Sequence, residues 1–340
     1  MLPLISVIIP VYNAQGYIAK TLQKLCDQSY PNIEFIAVND GSADNSGRII
    51  AECSEKDSRI ILKNTENRGV SAARNAGIRA ASGEYLMFCD ADDYPEPIMA
   101  ERLYSAAAGA DITLCGFNKI SAVKTVCDEF PEEKIYTSTA DIKENLIMPM
   151  CVWGYSNNGC VPKSVYGSVC RGLYKKRFLC ENNISFPVGV VLGEDMLFNI
   201  QAFFAAKEIR VIKDCLYNYV ENPASATHTD SIKLWEKYKT LHYHAHILLE
   251  KLGFSENDIR WHDWQLSRYA VSAIIEGVCP LEISKKEKSG RAEKILRDEK
   301  LKAALKNLPQ GLQEKDKLNA KALLLPASVV LSYYNFISKK

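Results

Sequence analysis

Long apolar runs are missing from this chain. No stretch of about 20 apolar residues occurs, so no ordinary membrane-spanning helix is expected. An excess of one charge is missing too: 42 Lys and Arg stand against 41 Asp and Glu, a formal net charge of +1. Without a global basic field, nucleic acid is not an expected partner. Neither G-x-G-x-x-G nor G-x-x-x-x-G-K-[ST] is present, which excludes a dinucleotide fingerprint and a P-loop; phosphates would have to be held mainly through metal. Eleven cysteines are present without a C-x-x-C spacing, and the evenly spaced Cys160, Cys170 and Cys180 fit neither a zinc site nor a small disulfide scaffold. The expectation is reduced, mostly buried thiols in a cytoplasmic protein. Pro3 and Pro10 bracket an N-terminal apolar segment too short for a signal peptide, and no charged region precedes it. No internal repeat or low-complexity linker marks a domain boundary.

What is present is an ordinary globular composition. Of 340 residues, 47% are hydrophobic and 24% charged, which rules out a disordered or collagen-like chain. The length allows two or three domains of about 100–200 residues each. Charge is unevenly placed, with 14 Lys and Arg against 7 Asp and Glu from Glu282 onward.

The first hundred residues alternate strand and helix patterns. Ser6–Ile9, Glu34–Val38, Ile60–Leu62 and Tyr85–Cys89 are short apolar runs that read as strands. Between them lie a stripe of Ile18, Leu22 and Leu25, a segment bearing Ile49, Ile50 and Cys53, and a small-residue face of Val70, Ala73, Ala76 and Gly77. Strands apolar on both faces and separated by helices imply an α/β fold, a mainly parallel sheet flanked by helices. Ligands of such sheets bind at the carboxyl ends of the strands. Three polar clusters occupy those ends: Pro10-Val11-Tyr12-Asn13, Asn39-Asp40-Gly41-Ser42 and Asp90-Ala91-Asp92-Asp93.

If the chain runs extended there, Asp90 and Asp92 point to one side. Two hard oxygen donors with Asp93 nearby suit Mg²⁺ or Mn²⁺ shared with substrate phosphates, or else form a solvated acidic turn before Pro95. Asp40 either caps the following helix or accepts a hydrogen bond from a nucleobase edge. Tyr12 either stacks on a base or is a partly buried turn tyrosine. Arg74, on a helix otherwise rich in Ala and Gly, suits a diphosphate or an acidic side chain.

Taken together, Pro10-Val11-Tyr12-Asn13, Val38-Asn39-Asp40-Gly41-Ser42-Ala43-Asp44, Asn67-Arg68-Gly69-Val70-Ser71-Ala72-Ala73-Arg74-Asn75 and Gly83-Glu84-Tyr85 through Asp90-Ala91-Asp92-Asp93 resemble the family 2 glycosyltransferases. The resemblance implies a GT-A fold with a Rossmann-like nucleotide-binding half. It also implies inverting transfer of a sugar from a nucleotide donor, often UDP-linked. It places Pro10 in the nucleotide site, Tyr12 and Asp40 on the base, Arg74 on the diphosphate side, Asp90 at the ribose, and Asp92 on a Mn²⁺ or Mg²⁺ ion. Asn39 departs from the family, which usually has a second acid there.

Further along, Cys170-Arg171-Gly172-Leu173-Tyr174-Lys175-Lys176, Ile184-Ser185-Phe186-Pro187 and Gly193-Glu194-Asp195-Met196-Leu197-Phe198 are similar to the acceptor side of bacterial members. The resemblance makes Asp195 the catalytic base, and displacement at an anomeric carbon needs such a carboxylate opposite the leaving diphosphate. A Glu-Asp pair capping an apolar helix is the other reading. Tyr217-x-Tyr219 followed by Ser225, Thr227 and His228 resembles a segment that closes over donor phosphates, where His228 touches phosphate or metal, or is a surface histidine. His242, His244, His246 and His262 lack both an H-E-x-x-H pattern and an obvious acid partner, and read as a helix face. The Q-x-x-R-W of processive members is not matched, which points to single addition.

Residues 1–220 are therefore expected to form the GT-A domain, divided near residue 95 into nucleotide-sugar and acceptor halves, with a helical region over 221–340. Leu241–Leu252, Trp264–Val278 and Lys285–Leu308 carry its helical patterns. The basic, apolar C-terminus either packs on this region or lies on an anionic membrane at the inner face of the cell. Expected partners are a UDP-sugar, a glycan or lipid-linked glycan acceptor, and a second copy in a homodimer. A nucleotidyltransferase and a non-catalytic binding module are the competing readings. The first lacks its Gly-rich loop, and intact Asp92 and Asp195 weigh against the second.

Overall fold

The computed structural model describes residues 1–152, 167–221, 231–279 and 281–337. The chain divides into two compact units, one of Met1–Lys143 with Tyr166–Pro223, the other of Glu144–Val165 with Ala224–Lys340. The second unit thus takes in residues 144–165 besides the expected helical region.

The first unit is built on one sheet. β1 (Ile5–Val11), β2 (Ile33–Asp40), β3 (Ile60–Thr65) and β4 (Tyr85–Phe88) are joined through α1 (Ile18–Cys26), α2 (Ser46–Ser54) and α3 (Val70–Ala80). They stand in the order β3-β2-β1-β4, all parallel, with Val11 beside Asn39 and Ile8 beside Phe88. β1, β2 and β4 are buried on both faces, as covering helices require. β3, at the edge, is mostly half-exposed or exposed.

Beyond β4 the sheet is mixed. β5 (Tyr94–Pro95) and α4 (Met99–Ala107) lead to β6 (Ile112–Ile120), β7 (Thr125–Asp128) and β8 (Lys134–Tyr136), and then to the short α5 (Thr139–Ile142). α6 (Met148–Cys151) belongs to the second unit. β9 (Gly172–Lys175) runs antiparallel between β4 and β6, and α7 (Lys176–Glu181) and α8 (Glu194–Ala205) follow it. β10 (Ile209–Val220) is parallel to β6 and antiparallel to β5 and β8. Phe88, Tyr174, Phe186 and Phe198 form an aromatic core, with Phe186 and Phe198 stacked at 4.2 Å, and this core fixes α8 against β4 and β9.

The expectation of reduced thiols is not met throughout. Cys127 on β7 and Cys215 on β10 form a disulfide across the strand they flank, β6. A Cβ at Gly116 of β6 would stand 2.8 Å from Cys215 Sγ, so glycine leaves room for the bridge. The other cysteines among the described residues are free thiols.

The second unit is helical. α9 (Ser231–Lys251) and α10 (Glu256–Gly277) are joined by a short turn. Stacking of Tyr238 on Tyr269 at 4.4 Å, far from that turn, makes them an antiparallel hairpin. Ser255 and Asp258 form a capping box that starts α10. The charged stretch expected as one helix is two, α11 (Lys285–Leu296) and α12 (Glu299–Lys306), because Asp298 accepts from the N–H groups of Lys300 and Leu301 and starts a new helix. α13 (Glu314–Leu323) and α14 (Ala327–Ile337) complete the unit; α14 buries Val330, Leu331 and Tyr334 against its neighbours. No helix among the described residues is long and apolar enough to cross a membrane.

Candidate active site

The polar clusters do meet at the carboxyl edge of the parallel strands. At the end of β1, Pro10 and Val11 are buried, whereas Tyr12 is 54% exposed at the head of the turn. Asn13 takes a left-handed backbone (φ +48°), its N–H donates to Ser42 Oγ at 3.0 Å, and its Oδ1 accepts from Ala43 N–H at 2.9 Å. The turns after β1 and β2 are thereby tied together.

Asp40 is 3% exposed and does not cap the helix that follows it. The turn before that helix is held instead by Asp44, which accepts from the Ser46 N–H at 2.9 Å. The Asp40 carboxylate instead accepts from Arg68 N–H at 3.1 Å and Gly69 N–H at 2.8 Å, fixing the loop that enters α3. Asn39, where the family usually carries an acid, donates through Nδ2 to Asn64 Oδ1 at 2.9 Å and accepts from Ser42 N–H at 3.2 Å.

Arg74 is the centre of the site. It is 2% exposed, and of its two alternatives the acidic partner is the one present. Nη1 donates to Glu194 Oε1 at 2.8 Å and Asp195 Oδ1 at 2.7 Å, and Nη2 donates to Asp90 Oδ1 at 2.8 Å. The guanidinium carbon lies 5.2 Å from the centre of the Phe186 ring. Helix α3 thus joins the end of β4 to the first turn of α8 with one cation. A diphosphate at Arg74 would have to displace one of these carboxylates.

The chain does not run extended through the acidic motif: it turns at Ala91-Asp92, so the alternation argument for Asp90 and Asp92 does not carry over. Both side chains are half-exposed, whereas Asp93 is buried. Asp93 accepts from Tyr217 Oη–H and from Val220 N–H, each at 2.8 Å, while Tyr217 Oη accepts from Asp90 N–H at 3.1 Å. Asp93 therefore anchors the loop instead of joining a ligand set. Tyr217 and Glu194 are site residues to which the sequence reading gave other places or none. Their spacing to Asp93 and Arg74 is too long for any local pattern to reveal the pairing.

The second oxygen of Asp195 accepts from Val169 N–H at 3.2 Å. Burial pushes its carboxyl up to about 8, offset in part by Arg74 and reinforced by Glu194 and Asp90. Asp93 is pushed up to about 8 by burial and then by Asp90. One guanidinium facing three carboxylates leaves the site short of positive charge. Half-exposed Asp90 and Asp92 lie beside that deficit and carry hard oxygen donors of the kind Mg²⁺ or Mn²⁺ takes. His228 lies outside the described residues.

Comparison with known proteins agrees with this fold and motif order. Residues 6–156 match the family described as Glycosyl transferase family 2. This segment is a family 2 glycosyltransferase domain, and the chain is a glycosyltransferase. It is 28% identical over 315 residues to the uncharacterized glycosyltransferase EpsJ of Bacillus subtilis, covering 91% of this chain and 88% of that one. It is also 31% identical over 222 residues to a poly(ribitol-phosphate) beta-glucosyltransferase of Bacillus spizizenii, covering 64% of this chain and 32% of that protein. The crystal structure of S. aureus TarS 1-349 in complex with UDP-GlcNAc superposes with a TM-score of 0.63 at 19% identity, over 99% of this chain and 90% of that one.

Proposed function

We propose that the protein is an inverting, divalent-metal-dependent transferase that moves one sugar from a UDP-sugar to an acceptor hydroxyl of a bacterial surface glycan or its lipid-linked precursor. The observation that carries this reading is the meeting of Asp195 and Asp90 on the Arg74 guanidinium. A candidate proton acceptor and a candidate metal-side carboxylate are held by one cation, on two elements far apart in sequence.

In the proposed reaction the acceptor hydroxyl gives its proton to Asp195 as its oxygen bonds the anomeric carbon, and the bond from that carbon to the diphosphate breaks. A carboxyl whose burial raises it to about 8 is a better proton acceptor than an ordinary aspartate once ionised. Mn²⁺ or Mg²⁺ held by Asp90 and Asp92 would offset the charge left on the departing diphosphate. Exposed Tyr12 offers a face for the base, and Asp40 shapes the loop beside it. The choice of UDP is supported by the solved relatives of this fold that carry UDP and UDP-GlcNAc, and the choice of acceptor by the poly(ribitol-phosphate) glycosyltransferase among the relatives.

The test is thermal unfolding with UDP, GDP, CDP or ADP, each with and without Mn²⁺, followed by transfer assays with UDP-sugars. Ligand at about 100 times its dissociation constant adds roughly 2.7 kcal/mol, a rise of several degrees. UDP with Mn²⁺ is expected to give that rise, Asp195→Asn to keep it while losing transfer, and Asp92→Ala to lose the metal-dependent part. Full transfer by Asp195→Asn would overturn the base assignment, and a rise with another nucleotide alone would overturn the donor.

A further inference from the structure

The helical unit holds a cluster for which the active site has no use. His242 and His246 stand one turn apart on α9, and Asp263 faces them from α10. His242 Nε2 lies 3.2 Å and His246 Nδ1 2.9 Å from the same atom, Asp263 Oδ1, and one ligand atom from each residue lies within 4.8 Å of the others. Local sequence offers these histidines no obvious acid partner. The acid is supplied by the neighbouring helix.

We propose that His242, His246 and Asp263 bind one zinc-class divalent ion, through His242 Nε2, His246 Nδ1 and the Asp263 carboxylate, clipping α9 to α10. Tetrahedral zinc with bonds of about 2.0 Å sets its ligand atoms about 3.3 Å apart, and the two histidine–carboxylate pairs, at 3.2 and 2.9 Å, are already close to that spacing. Two imidazoles and one carboxylate favour zinc over Mg²⁺ or Mn²⁺, which prefer all-oxygen sets.

Two further features set this cluster apart from a simple helix-packing contact. His242 is only 4% exposed, yet its Nε2 has no aligned hydrogen-bond partner among the described residues despite its nearness to Asp263. The ring is held in that orientation by stacking on His262 at 4.4 Å, and His262 Nε2 lies 3.2 Å from the His242 carbonyl oxygen. On the other histidine, the free ring nitrogen faces a carboxylate: His246 Nε2 is 3.4 Å from Glu250 Oε1. A carboxylate behind a ligating imidazole orients the ring and raises its basicity. His246 and Asp263 are each about 30% exposed, which gives an ion a route in and leaves a position open to water.

The experiment is titration of Zn²⁺ into chelator-treated full-length protein by calorimetry, with Co²⁺ absorption as a probe of geometry. Expected are one equivalent of zinc per chain and a tetrahedral Co²⁺ spectrum without the intense ultraviolet thiolate band, which separates this site from cysteine binding. His246→Ala and Asp263→Asn should abolish both signals while far-UV circular dichroism is unchanged. Glu250→Gln, at a more exposed position, should weaken binding about 10- to 100-fold. Asp92→Ala should leave the zinc isotherm intact, so failure here and failure of the active-site reading are told apart. Absence of zinc uptake by the wild type overturns the proposal, as does wild-type affinity in His246→Ala and Asp263→Asn.

Discussion

Arg74 holds together acids that would otherwise repel one another. Removing one partner of a buried charge network leaves the others uncompensated and costs about 3–5 kcal/mol. Arg74→Met should lose stability on this scale in urea unfolding at pH 8. Its deficit depends on pH with a definite sign. Burial sets the folded-state carboxyls of Asp93 and Asp195 at about 8, far above the free value of 3.8, so the folded state holds their protons the more tightly. Stabilisation of this kind is fully present below the free value and is lost as pH rises through about 8. Arg74 holds the Asp195 carboxyl down, so without the guanidinium Asp195 holds its proton tighter still, and the deficit of Arg74→Met should be largest at pH 8 and above and shrink towards pH 5. A deficit independent of pH would mean that Arg74 acts through packing on Phe186 alone.

Among the elements, α3 matters most, because it carries Arg74 and lies on β1. Its fit depends on Gly77: a Cβ there would clash with Ile8 Cγ2, at the middle of the sheet. Gly77→Ala should therefore cost about 1–3 kcal/mol through overpacking, although alanine is the better helix former. The same displacement would shift Arg74, one turn earlier, against Asp90 and Asp195, so transfer should fall by more than the loss of folded protein explains. Equal or higher stability in Gly77→Ala would show that the helix can move off the sheet at no cost. At this scale much of the architecture was legible in the sequence. Strands of period-free apolar residues and the stripes between them are local patterns, and β1 to β4 and α1 to α3 fall on the segments they mark. The antiparallel insertion of β9 between β4 and β6 left no such mark, because strand order is set by packing of distant segments. The acidic turn is illegible for the opposite reason: local alternation holds only for extended chain, and Asp93 is bonded to Tyr217 and Val220 where the chain bends.

For the molecule as a whole, the uneven charge is the feature that outlasts the fold. The basic stretch from Glu282 ends in α14, which buries Val330, Leu331 and Tyr334 but exposes Val329 and Tyr333, with exposed Leu324 and Leu325 just before it. An apolar rim on a basic segment suits an anionic lipid surface, where a lipid-linked acceptor would reside. The protein should co-sediment with phosphatidylglycerol-rich vesicles at low salt. Binding should fall as salt shortens the screening length from about 10 Å at 0.1 M to about 3 Å at 1 M. The double substitution Val329→Glu and Tyr333→Glu should weaken it with the fold intact. Equal sedimentation with neutral vesicles, or none with anionic ones, would leave the charge asymmetry to other causes.

By itself the sequence determined the family, the α/β order of the first hundred residues and the identity of the acids at the sheet edge. Each of these is written in residue types at short, fixed spacings, because backbone periodicity and turn chemistry act over a few residues. Only the tertiary structure decided which group each acid meets. Arg74 against Asp195, Tyr217 against Asp93, Cys127 against Cys215 and the two histidines against Asp263 all join different elements. The first three of these pairs join segments distant in sequence and the histidines with Asp263 join the two arms of one helical hairpin; all depend on how sheet order and helix packing bring segments together, and side chains of the same type elsewhere in the chain carry no local sign of it.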